Sequence, residues 1–68
     1  MAMGIDAKRN MLQTLVNETL GVGARVEHEF LGHAFVVMYQ GRELIRFNEN
    51  SVEKAYEAEL IQSLRSAN

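Results

Sequence analysis

Sixty-eight residues, 47 % apolar and 24 % charged, make one globular domain and leave no room for a second, because so short a chain hides only about 60 % of the surface its unfolded form exposes. With no Cys and only two His, the thin core has neither disulfides nor a closed zinc centre to hold it, so no metal or cofactor is expected and a partner is the remaining staple. A net charge of −2 argues against gripping nucleic acid chiefly through phosphates, no apolar run nears the ~18 residues of a membrane span, and no leader pattern opens the chain, so a cytoplasmic protein is expected.

Residues 1–4 offer two plausible start methionines and are expected to be disordered or a cloning remnant. Over Ile5–Leu20, Met11, Leu12, Leu15, Val16 and Leu20 recur at three- and four-residue spacing and predict a helix. Asp6 is the expected N-cap, its carboxylate accepting from free amides of the first turn, and Gly21 and Gly23 stop the helix. From residue 24 the period becomes extended. Val26, His28 and Phe30 alternate with Arg25, Glu27 and Glu29, and Ala34–Tyr39 is a continuous apolar run. Gly32-His33 and Gln40-Gly41 each suit a two-residue turn, which makes 43–47 a third strand and puts Ala34–Tyr39 at the centre of the sheet. Over 52–65 the stripe Val52, Tyr56, Leu60 and Leu64 predicts a second helix, capped by Asn50 or Ser51, with 66–68 frayed. The expected fold class is α+β in the order α-β-β-β-α, a single domain with both helices on one face of a three-stranded antiparallel meander.

Two-residue turns fix which side chains oppose one another, and opposed residues share a face. Tyr39 then faces Arg42, Val37 faces Leu44, Val36 faces Ile45 and Ala34 faces Phe47, while Phe30 faces Phe35 and His28 faces Val37. Val26, His28, Phe30, Phe35, Val37, Tyr39 and Leu44 fall on the side assigned to the helices. Leu31, Val36, Met38, Ile45 and Phe47 fall on the other, among Arg25, Glu27, Glu29 and Glu43. Two short helices on one side do not cover both faces, so the second set forms an apolar patch of roughly a few hundred Å², the size at which a partner is expected, the alternative being that the helices split, one to each face, and leave nothing bare. Leu31, Val36, Met38, Ile45 and Phe47 are therefore the candidate partner-binding residues, for a second copy in a homodimer or for another protein.

Catalysis finds little footing in the sequence. There is no Cys, and Ser51, Ser63 and Ser66 read as a cap, a helix-surface position and a tail. Gly21-Val22-Gly23 precedes a strand rather than the helix a phosphate loop needs. Glu27 and Glu29 read as solvated strand charges that discourage edge pairing, in preference to a cation or acid–base site. His28 is a core histidine with a hydrogen-bond partner or a pH-sensitive element. Phe35, Tyr39, Arg42 and Arg46 would form a base-stacking platform if the covered and open faces were exchanged, but the helices' apolar stripes need that side to pack on. No catalytic residue and no metal ligand is assigned.

Asp6-Ala7-Lys8 followed by Leu12-Gln13 and Leu15, Gly32-His33 followed by Phe35-Val36-Val37, and the spacing of Ser51, Ala55, Ala58 and Leu64 together resemble the double-stranded RNA-binding domain. The resemblance spans nearly the whole chain and implies the same order of elements. It also implies an RNA contact through Lys8 and Gln13 on the first helix, His33 on the first hairpin loop and Lys54 at the start of the second helix. Where that family carries a lysine cluster, this chain has Val52, Glu53 and Tyr56 around Lys54. That departure makes the chain similar to members that dimerise or dock on proteins, so a protein-interaction module is the expected function and RNA binding the alternative.

Overall fold

The computed structural model describes residues 3–68, so the expectation for 1–4 falls partly outside the described residues. Helix α1 spans Ile5–Leu20, as the periodicity predicts. Its N-cap is Gly4, whose carbonyl accepts from the Lys8 amide at 2.9 Å, and Asp6 sits instead in the first turn, where a negative charge suits the helix dipole. Gly21 ends the helix at φ 99°, a backbone region that costs glycine little, and its amide donates to the Asn17 carbonyl.

Strands β1 (Ala24–Glu29), β2 (Ala34–Tyr39) and β3 (Arg42–Asn48) form one antiparallel sheet in the order β1-β2-β3. Both hairpins differ from the simplest pairing. The β2–β3 turn is the expected two-residue Gln40-Gly41, with φ 55° and 80°, the positive pair that matches the twist of the strands. Beyond it, however, a bulge between Met38 and Val37 leaves Leu44 unmatched, so Val37 faces Ile45, Val36 faces Arg46 and Phe35 faces Phe47. The β1–β2 connection is not a two-residue turn on Gly32-His33. It is the four-residue loop 30–33, closed by the His33 amide donating to the Phe30 carbonyl at 3.3 Å, with His33 at φ 52°. Val26 consequently faces Val37 and His28 faces Phe35.

The second helix also begins later than its stripe suggests. Asn48 caps a short 3-10 turn (Glu49–Ser51), its side-chain oxygen accepting from the Asn50 amide at 2.8 Å. Val52 is then buried completely, a second turn follows (Lys54–Tyr56), and helix α2 runs Glu57–Ala67, through residues expected to fray. Val52 anchors the connection rather than opening the helix.

Both helices lie on one face. Leu12, Leu15 and Val16 of α1 and Leu60 and Leu64 of α2 close over Val26, Phe35, Val37 and Phe47, with Ile45 and Tyr39 packed at the margin. Helix α1 runs against β1, and α2 against α1 and β3. Ile45 and Phe47 thus belong to the covered side, contrary to the expected open patch. No described helix is long and apolar enough to cross a membrane.

Candidate interaction surface

The loop 30–33 carries two large apolar side chains into solvent, Phe30 at 76 % and Leu31 at 90 % exposed. Phe30 and Leu31 are the first two of four residues beyond the last paired rung, Glu29 with Ala34, and have no cross-strand partner to pack on. The stem beneath them is held from several sides. The Glu49 amide donates to the His33 carbonyl at 2.9 Å, and the half-buried Glu49 carboxylate accepts from His28 Nε2 at 2.6 Å and lies 3.8 Å from His33 Nδ1. The His28 ring is tilted against Phe35 at 5.0 Å and meets Phe30 edge-on at 6.5 Å, so the core and the loop share one aromatic contact. From α1, buried Lys8 donates to the Glu49 carbonyl at 2.7 Å and pairs with Glu53 at 3.2 Å. Glu49 therefore joins the first hairpin, the first helix and the connection to α2.

Next to this tip lies the open side of the sheet. Of the expected patch, Leu31 stands at the tip and Val36 and Met38 face outward, whereas Ile45 and Phe47 are turned inward by the bulge. Val36 is only 6 % exposed, set between its cross-strand neighbours Glu27 and Arg46. Arg46 reaches Glu29 and Glu43, each at 3.0 Å, and Arg25 reaches Glu27 at 2.8 Å. Hydrogen bonding to Arg46, aided by attraction to its charge and opposed by a smaller cost of lost hydration, holds the Glu43 carboxyl below the ordinary value of 4.5. The same hydrogen bonds, to Glu43 and then Glu29, raise the Arg46 guanidinium and keep it cationic. The Glu29 carboxylate lies close over Gly32, in the space a Cβ would take, and would have to swing aside for a larger residue there. The open face is thus a short apolar strip with charged walls rather than a bare patch.

The other candidates scatter. Lys8 and Gln13 both work inside the fold: Gln13 accepts from the Val26 amide at 2.9 Å and donates to the Ala24 carbonyl at 3.1 Å. His33 and Lys54 remain exposed, Lys54 beside Glu57 at 3.6 Å. Phe35 is fully buried and Arg46 lies on the opposite side of the sheet, so no stacking platform joins them. Glu27 and Glu29 are each engaged by an arginine, and among the described residues no three His, Asp or Glu side chains converge as a metal site. Sequence reasoning missed Phe30 and Glu49. A two-residue turn on Gly32-His33 puts Phe30 under the helices, and no local pattern singles out Glu49. Comparison with family models, curated proteins and solved structures finds no match for this chain.

Proposed function

We propose that the chain is a non-enzymatic protein-interaction module. It presents Phe30 and Leu31, flanked by the strip of Val36 and Met38, to a protein partner, either a second copy or another chain. The carrying observation is that two large apolar side chains stand in water on a stem that is braced from α1, β2 and the segment after β3. A braced loop loses little conformational freedom on docking, and burying two such side chains contributes about 4 kcal/mol before association costs. Arg46 with Glu29 and Glu43 supplies the charged rim that fixes orientation at such surfaces. Double-stranded RNA binding draws less support, since Lys8 and Gln13 spend their polar atoms within the domain.

A photo-crosslinking residue at Leu31, compared with the same residue at Val22, which is 95 % exposed, tests the proposal in cells of the native host. Discrete adducts from position 31 alone, lost with Phe30→Ser, are expected, and light scattering of the purified chain tells a second copy from another protein. Identical patterns at both positions sink the proposal.

A further inference from the structure

One side chain of α1, Gln13, holds the middle of the outer edge of β1, and the groups it holds point to what it keeps out. In an antiparallel pair, opposed residues alternately exchange both backbone hydrogen bonds or neither. Val26 gives its amide proton to Gln13 Oε1, so it exchanges none with Val37, and the polar groups of Ala24, Val26 and His28 all point away from β2. Gln13 occupies two of them at once, the Val26 N–H and the Ala24 carbonyl, as a residue of a neighbouring strand would. Its second amide proton goes to Asn17 Oδ1 at 2.9 Å, one helical turn on, so the amide is fixed in orientation by three partners. Left open, such an edge is a template for another strand.

The side chains say which strand. If a second β1 is laid antiparallel with Val26 opposite its own copy, the outward groups of residues 24, 26 and 28 meet in register. Arg25 then falls opposite Glu27 of the second copy, and Glu27 opposite its Arg25. Both side chains are more than half exposed and, among the described residues, pair with each other alone at 2.8 Å, an exposed bond that is cheap to exchange across strands. Arg25 and Glu27 flank Val26 symmetrically, so one two-fold axis satisfies both charges. Helix α1 runs along β1, so the second copy pairs only when Gln13 has released the edge.

We propose that Gln13 is a guard on a self-complementary strand edge, and that the partner it excludes is β1 of a second copy of this chain. The inference is independent of the Phe30–Leu31 surface. Gln13→Ala improves helix propensity, so folding is expected to survive, and circular dichroism confirms it. In light scattering the variant is expected to gain a concentration-dependent species of twice the wild-type mass. Adding Arg25→Glu, which sets Glu against Glu, abolishes that species, and adding Glu27→Arg as well restores it. A folded Gln13→Ala protein with unchanged mass at every concentration overturns the proposal, as does doubling that ignores the charges at 25 and 27. Should Gln13→Ala fail to fold, Gln13→Leu, which also lacks the amide, is read the same way. Amide exchange at Val26, faster in Gln13→Ala at low concentration, must move with the edge opening, and an unchanged rate also overturns it.

Discussion

The two hairpins depart from the simplest pairing in different ways, and only one departure changes the protein's faces. Lengthening the β1–β2 loop from two residues to four slides β1 against β2 by two positions, which preserves the alternation of sides: Val26 and His28 stay with the helices, and Glu27 and Glu29 stay outside. The bulge at Leu44 slides β3 by one, which reverses it. Ile45 and Phe47 turn from the open side to the core, and Arg46 turns outward over Val36. One inserted residue therefore exchanges two large apolar side chains for a guanidinium on the open face. That removes most of the apolar surplus from the open face and leaves Phe30 and Leu31, at the other hairpin's tip, as two large apolar side chains in solvent.

Phe47→Ala breaks the comparison most sharply. With the ring packed against Phe35 and the helices, its loss is expected to cost about 3 kcal/mol in chemical denaturation, whereas a ring on the open face would cost far less. Removal of Leu44 is the subtler test. Glu43 would then be followed directly by Ile45, both keeping their present partners Met38 and Val37, so the domain is expected to fold with Phe47 still protected and to lose less stability than Phe47→Ala. Exchange-protection mapping that shows Phe47 released into solvent would contradict the bulge. The smallest effect is electrostatic. Because Arg46 lowers the Glu43 carboxyl in the folded state, that pair's stabilisation is present above the ordinary value of 4.5 and is lost as pH falls below it. Denaturation midpoints of wild type and Glu43→Gln are thus expected to converge on acidification. Both groups lie at the solvent surface, where water screens the pair, so the gap at neutral pH is expected to be slight.

What local chemistry dictates was legible without coordinates. Helix α1 is set by its apolar spacing and the glycine at residue 21, β2 by its unbroken apolar run, and the β2–β3 turn by Gln40-Gly41, since each depends on residues within a few positions of one another. The order of elements and the placing of both helices on one side follow from those pieces. Glu49 and Gln13 were illegible as structural residues because their partners lie 11 to 41 positions away along the chain. The start of α2 was misjudged because Val52 obeys the helical stripe yet is drawn into the core from a 3-10 turn. The bulge is the clearest instance. Nothing near Leu44 demands an extra residue, but three strands must present one continuous apolar side to two helices, and only the assembled core rewards turning Ile45 and Phe47 inward. Register belongs to the whole sheet, and so does the surface it leaves outside.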